Sequence, residues 1–189
     1  MENDMKYIGK RERFGTEYLR MWPSIRGRRD MRDIDRSIEA LHHFARRRGT
    51  AVRYASLPHG IGGCVDGGKI VLRTGLSPQQ ELLTLVHELT HVMAHVASVR
   101  ARTPRTVCEY EAEAVERLIA QRSGFAAADC EPCMSEPSFP DGLLADSVTR
   151  VWRVGRTLLA VLSARQPLER LTPASAVTTR DSRAALRQR

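Results

Sequence analysis

The sequence predicts an α+β domain over residues 31–164, in which a small antiparallel sheet packs on a helix that carries several ionisable side chains. Four segments show apolar residues at helical spacing, and two short β-favourable runs lie among glycines between the first two of these helices. Hydrophobic residues make up 42% of the 189 residues, which is enough for one core. Residues 1–30 and 165–189 lack this patterning, so we expect a basic N-terminal arm and a basic disordered tail.

The N-terminal half of the domain contains one predicted helix and two predicted strands. The helix lies in MRDIDRSIEALHHFARRRG and ends at Gly49. Its apolar face consists of Ile34, Ile38, Leu41 and Phe44. Alternating β-favourable residues predict a strand over Ala51–Leu57, and a second strand is predicted over Lys69–Arg73. The glycine-punctuated residues between them, 58–68, predict a loop that ends in a turn.

Three further helices are predicted in the C-terminal half. Ser77 is the expected N-cap of the first, and Gln80 three residues later completes a capping-box pattern. This helix is expected over Pro78–Ala97. A second helix is expected over about 104–124, where a glycine ends it. The third is expected over about Asp141–Ala164, which carries leucines and valines at helical spacing.

The charge balance limits the classes of partner. The chain has 30 basic and 22 acidic residues, a net charge of +8, and the excess lies at the two Arg-rich ends. An acidic partner such as nucleic acid would therefore meet the ends. No apolar run reaches the roughly 18 residues of a membrane helix, and no apolar segment follows the first charges, as a signal peptide would require. We expect a cytoplasmic protein without a membrane partner.

Two of the four cysteines, Cys130 and Cys133, form a single C-x-x-C pair. No second pair lies at zinc-finger spacing, and no strand pattern precedes it. We interpret the two as loop thiols, with a structural zinc site or a redox pair as the alternative interpretation.

Residues 84–95, TLVHELTHVMAH, combine an apolar helical pattern with a candidate metal site. His87 and His91 are four residues apart, so a helix places both imidazoles on one face, where they can bind one ion. Glu88 is one position further on, from which its carboxylate can reach a metal-bound water and act as general base. The alternative is a core helix with incidental polar residues, but burying these groups without partners is costly.

Three protein ligands and an open fourth position are typical of catalytic zinc, so a third ligand is required. Ala94 and Ala97 stand where the extended metzincin pattern has Gly and His, which excludes that class. His95 lies one turn beyond His91, too far along a straight helix to share an ion with His87, so we expect it to support a ligand or simply to pack.

The better candidate for the third ligand lies in CEYEAEAVERL on the next helix. Glu109 and Glu113 are four residues apart and share a face, while Glu111 points elsewhere. A buried pair of carboxylates on a helix makes sense if one binds the metal and the other holds a ligand histidine in its tautomer. The alternative is a solvated acidic first turn that complements the helix dipole.

HELTH followed by E-x-x-A-E on the next helix resembles the gluzincin-type zinc metallopeptidases, and most of all the ImmA/IrrE-type metallopeptidases and the metallopeptidase domain of ArdC-type antirestriction proteins. The resemblance covers roughly residues 60–124. It implies a zincin-like fold, Zn²⁺ held by His87, His91 and Glu109, and catalysis by Glu88. It also implies that Glu113 supports a ligand histidine. The strand Ile70–Arg73 would be the sheet edge that pairs with an extended peptide.

These features favour a zinc metallopeptidase that hydrolyses a peptide bond in a protein substrate. The group that stabilises the oxyanion stays open among Tyr110, Tyr54 and His59. The alternative function is an ArdC-like, DNA-associated antirestriction protein whose Arg-rich ends bind nucleic acid, although no interleaved aromatics or known reader motif support it. A zinc protein in which the metal only stabilises the fold is disfavoured, because the general base is intact.

Overall fold

The computed structural model describes residues 31–125 and 143–164. The predicted basic arm at residues 1–30, the predicted tail at 165–189 and the C-x-x-C pair lie outside the described residues. The described chain is α+β, as predicted, with five helices and one three-stranded sheet. The elements in chain order are α1 (Met31–Arg47), β1 (Val52–Ala55), β2 (Gly63–Asp66), β3 (Lys69–Arg73), α2 (Pro78–Ala94), α3 (Ala97–Arg100), α4 (Arg105–Arg122) and α5 (Leu143–Ser163).

The sheet has the strand order β1-β3-β2 and is mixed rather than antiparallel, which corrects one feature of the prediction. Strands β2 and β3 form an antiparallel hairpin in which Cys64 lies opposite Val71. Strand β1 pairs with the other side of β3 in parallel, with Tyr54 opposite Leu72. Between β1 and β2 the chain crosses over the end of β3. Strand β2 therefore runs opposite to β1, and the hairpin turn that follows brings β3 back parallel to β1.

Two sequence-based expectations about this sheet were wrong for the same reason. Strand β2 lies within residues 58–68, for which we expected a loop. Its glycine and its short length conceal the strand pattern in the sequence. With β2 in the sheet, β3 is the central strand. The predicted peptide-binding edge, Ile70–Arg73, is therefore paired on both sides, and the edges of the sheet are β1 and β2.

Helix α2 begins as predicted and ends three residues early. The Ser77 side chain accepts a hydrogen bond from the Gln80 backbone N–H, and the Gln80 side chain accepts one from the Ser77 N–H. At the other end His95 leaves the helix with φ −111° and ψ 54°. The Nε of Arg100, in α3, donates to the His95 carbonyl at 2.8 Å and so satisfies a group at the helix end that would otherwise lack a partner.

Helix α2 lies at the centre of the domain, with the sheet, α1, α4 and α5 packed around it. Its apolar face is fully buried and consists of Leu82, Leu85, Val86 and Leu89. The core continues into Leu41 of α1, Leu72 of β3, Ile119 of α4 and Leu158 of α5. Burial of side chains of this size contributes about 1.5–3 kcal/mol each. The core therefore holds the polar face of α2 in a fixed orientation.

The lengths and hydropathies of the helices in the described ranges bear on whether the chain could span a bilayer. None of them is both long enough and apolar enough to cross a membrane.

The capping box predicts a measurable contribution of Ser77 to stability. The substitution Ser77→Ala removes the acceptor of the Gln80 N–H, so we expect the free energy of unfolding to fall by about 1 kcal/mol in urea denaturation. Ser56→Ala, at an exposed loop position, serves as the control and should change it by less than about 0.5 kcal/mol. Equal effects of the two substitutions would contradict a stabilising role of the cap.

Candidate metal centre

Helix α2 carries two histidines whose ring nitrogens meet at one point. The four-residue spacing places His87 and His91 on the same face, and their Nε2 atoms are 3.1 Å apart. Their side chains are about one-fifth exposed, so the point where they meet lies at the surface of the domain rather than in its interior. The predicted pairing of the two imidazoles is thus present in the structure.

Helix α4 brings a carboxylate to the same point. The Oε2 of Glu109 lies 3.4 Å from Nε2 of His87 and 3.2 Å from Nε2 of His91. Its other oxygen, Oε1, accepts a hydrogen bond from Nε of Arg105, 3.4 Å away on an exposed side chain. Among the described residues these three donors form the one group with metal-ligand character.

The triangle of donor atoms has the dimensions of a zinc site. Zinc binds imidazole nitrogen and carboxylate oxygen at about 2.0–2.1 Å in a tetrahedron, which places neighbouring ligand atoms about 3.3 Å apart. The three separations here are 3.1, 3.2 and 3.4 Å. Two histidines and one glutamate also leave a fourth position open, as catalytic zinc sites do. The residues therefore fit a zinc ion without rearrangement.

The electrostatics of the triangle show how strongly its members are coupled. A hydrogen bond from His87 lowers the pKa of Glu109 well below its usual range. Burial lowers the pKa of His87, but the carboxylates of Glu109 and Glu116 outweigh it and raise the pKa to about 10. Without a metal, positive charge on an imidazole balances the carboxylates, and a bound cation would replace that charge.

Glu88 lies beside the triangle, and its side chain packs against strand β2. Its side chain is only 6% exposed, and this burial raises the pKa of Glu88 to about 7. A Cβ atom added to Gly63 would lie 3.2 Å from Oε1 of Glu88 and 2.8 Å from Cγ2 of Thr84. Glycine at position 63 thus lets the β2 backbone approach α2 closely, and the strand covers the carboxylate.

The outer nitrogen of His87 has a carboxylate partner, but not the expected one. Nδ1 of His87 lies 3.2 Å from Oε2 of Glu116, whereas the Glu113 carboxylate lies 3.7 Å from Arg117. We expected Glu113 in this role. His87 lies one turn before His91 on α2. Because α2 and α4 run in opposite directions, the α4 residue behind His87 lies further along α4 than Glu109, and this residue is Glu116.

The outer nitrogen of His91 is supported by a buried histidine. Nδ1 of His91 lies 3.0 Å from Nδ1 of His95, and Nε2 of His95 lies 3.0 Å from Oε2 of Glu111. Of the two roles expected for His95, support of a ligand is therefore the one that the structure has. Glu111 does point away from the triangle, as predicted, but it is fully buried rather than solvated.

Glu111 receives its charge partner from helix α5. Arg150 donates two hydrogen bonds to it, from Nε at 2.9 Å and from Nη2 at 2.6 Å. Burial raises the pKa of Glu111, but these bonds and the one from His95 outweigh that effect and lower it. Sequence spacing gave no signal for Arg150 or Glu116, because their roles depend on how separate helices pack.

Of the three residues considered for the oxyanion, Tyr54 is directed to a different part of the domain. Its hydroxyl donates to Oε1 of Glu81, which lies two helical turns, or about 10 Å, before Glu88. His59 is exposed in the loop between β1 and β2, and Tyr110 is half-buried on α4 beside Glu109. None of the three is assigned the role.

The close approach of β2 to α2 predicts that position 63 does not tolerate a side chain. Gly63→Ala forces Thr84 or Glu88 to move, so we expect the free energy of unfolding in urea to fall by about 1–3 kcal/mol. Adding Thr84→Ser removes the methyl group nearest to the new Cβ and should restore part of the loss. A Gly63→Ala protein as stable as the wild type would contradict this account of the glycine.

Comparison with known proteins gives one finding at the level of the family. Residues 42–130 match the family model described as the IrrE N-terminal-like domain, Peptidase_M78. The matched range contains the whole sheet and both helices of the triangle. No curated protein and no solved structure matches the chain. The predicted resemblance to ImmA/IrrE-type metallopeptidases is confirmed for this range, in which the chain is similar to the IrrE N-terminal-like domain.

Proposed function

We propose that this protein is a zinc-dependent metallopeptidase that hydrolyses a peptide bond in a protein or peptide substrate. The observation that carries the proposal is the triangle of His87, His91 and Glu109, which has zinc-site dimensions and lies beside the buried carboxylate of Glu88. The match to a metallopeptidase family supports the same reaction class.

In this proposal the chain contributes ligands and a proton acceptor. His87, His91 and Glu109 hold the ion. Zinc, when bound, acts as a Lewis acid that polarises the scissile carbonyl and makes water nucleophilic near neutral pH. Glu88 accepts the proton of the attacking water and transfers it to the amine nitrogen that leaves. Its low exposure keeps bulk water away from the carboxylate and strengthens its interactions with the reacting groups.

Strand β2 is the proposed binding edge for the substrate, in place of Ile70–Arg73. It pairs with β3 on one side only in the described sheet. Gly63 brings its backbone next to Glu88, so a peptide that adds to this edge would lie across the triangle. Pairing of this kind uses the peptide backbone of the substrate, while pockets for alternate side chains provide specificity.

The remaining sequence-based expectations stay predictions. The Arg-rich ends proposed to bind nucleic acid in the ArdC-like alternative lie at residues 1–30 and 165–189, outside the described residues. The cytoplasmic location is likewise a prediction from the sequence. The peptidase proposal has the larger support, because the described residues supply its chemical groups.

The proposed site predicts the metal content of the purified protein. We expect elemental analysis to find about one zinc ion per chain after reconstitution, and we expect His91→Ala and Glu109→Ala to lose it because each removes one of three ligands. Glu113→Ala, on the same helix and with the same change in charge, is the matched control and should retain the metal. Zinc bound equally by the Glu109→Ala protein would contradict the assigned ligand set.

The role of Glu88 predicts a separation of metal binding from catalysis. Glu88→Gln preserves the shape of the side chain but removes its basicity, so we expect zinc to be retained and hydrolysis to fall about 10²- to 10⁴-fold. The probe is a library of unstructured fluorescence-quenched peptides, and cleavage is measured with and without a zinc chelator. Glu81→Gln, on the same helix, is the control. Equal cleavage by the Glu88→Gln protein would refute the proposed role.

A further inference from the structure

A continuous line of polar groups connects His91 to helix α5. It passes through His95, which leaves the end of α2, to Glu111 on α4 and Arg150 on α5. The side chains of His95 and Glu111 are completely buried, and Arg150 is 12% exposed. Three helices thus contribute to one chain of hydrogen bonds that ends on a proposed ligand.

The guanidinium of Arg150, at the end of this chain of hydrogen bonds, determines where each proton along it lies. Arg150 has only donors, so both oxygens of Glu111 must accept from it. A carboxylate that accepts on both oxygens has no proton to give, so the bond between Glu111 and His95 must be donated by Nε2–H of His95. In neutral His95 the other ring nitrogen, Nδ1, is then an acceptor.

The position of the proton on His91 is determined in the same way. Because Nδ1 of His95 accepts, Nδ1 of His91 must donate across the 3.0 Å between them. A neutral His91 with its proton on Nδ1 has a free lone pair on Nε2. Nε2 is the atom that lies 3.2 Å from Glu109 and 3.1 Å from Nε2 of His87 in the proposed zinc triangle. The opposite tautomer would place a proton on that atom and block metal binding.

We propose that His95, Glu111 and Arg150 are positioning residues that hold His91 in the Nδ1–H tautomer and so prepare its Nε2 to bind the metal. The proposal rests on the metal site of the proposed function and adds to it how that site is prepared. The carboxylate Glu111 acts through a second histidine rather than directly on the ligand.

The two ligand histidines differ in how firmly they are supported. His87 depends on Glu116, whose side chain is 23% exposed, so water can replace the carboxylate if it is removed. His91 depends on groups that water does not reach, so a lost partner leaves a buried nitrogen without a hydrogen bond. Loss of support should therefore weaken metal binding more at His91 than at His87.

The competing explanation is that the buried chain only joins three helices. Substitution of His95 distinguishes the two explanations. In His95→Asn the side-chain oxygen lies near the former Nδ1 position and can still accept from His91, whereas His95→Leu fills the buried space with an apolar group and offers no acceptor. If the buried chain is only structural, zinc affinity should be retained at least as well in His95→Leu as in His95→Asn. If His95 positions His91, His95→Asn should retain more of the zinc affinity.

The first measurement is the tautomeric state in zinc-free wild-type protein, by long-range ¹H–¹⁵N correlation spectra of ¹⁵N-histidine-labelled chain. We expect His91 to carry its proton on Nδ1 and His95 on Nε2. A proton on Nε2 of neutral His91 overturns the proposal. This readout needs neither zinc nor activity, so it decides the proposal even if the wild type binds no zinc and the proposed function fails.

The second measurement is zinc affinity, by competition with a chromophoric chelator. We expect His95→Leu and Glu111→Gln to weaken zinc binding about 10- to 100-fold, His95→Asn to retain most of the affinity, and Glu116→Gln to lose less than Glu111→Gln. Far-UV circular dichroism of each zinc-free variant checks the fold. If both proteins fold and His95→Leu binds zinc as tightly as His95→Asn, the proposal is overturned. If His95→Leu does not fold, an unchanged zinc affinity of Glu111→Gln overturns it.

Discussion

The contact between helices α2 and α4 determines where the candidate functional side chains lie. Each helix by itself presents a row of polar groups, two histidines on α2 and two carboxylates on α4, and these have no chemical role until the rows face each other. The helices run in opposite directions, so Glu109 reaches both histidines while Glu116 lies behind His87. The apolar residues on the buried side of α2 hold this alignment in place.

Bringing so many ionisable groups into one partly buried contact is unfavourable unless their charges are balanced. Four carboxylates, those of Glu88, Glu109, Glu111 and Glu116, lie close to the three histidines of α2 and its C-terminus. Arg150 compensates the deepest of them. The others crowd around the triangle, where a divalent cation would balance their charge better than a single proton does. The arrangement is thus more easily explained as a metal centre than as a network that stabilises the fold.

The sheet contributes backbone rather than functional side chains. Its strand β2 approaches α2 at Gly63, where even a methyl group would meet Thr84 and Glu88. This approach places the β2 backbone against the carboxylate, and β2 is an edge strand of the described sheet. The same packing therefore brings the proposed base and the proposed substrate-binding edge together.

Features that depend on residues close together in the chain could be predicted from the amino-acid sequence. Helical periodicity and the capping box at Ser77 predicted α2, and the spacing of His87 and His91 alone required their imidazoles to share a face. The α+β class and the family resemblance followed from the same local patterns. Features that depend on the mutual rotation and direction of separate elements followed from the folded structure alone. In the folded chain β3 is the central strand of the described sheet, and Glu116 instead of Glu113 lies behind His87. His95 is connected to Arg150 through Glu111. No spacing along one helix contains that information, because the pairing of side chains across a helix contact is set by how the apolar faces fit together.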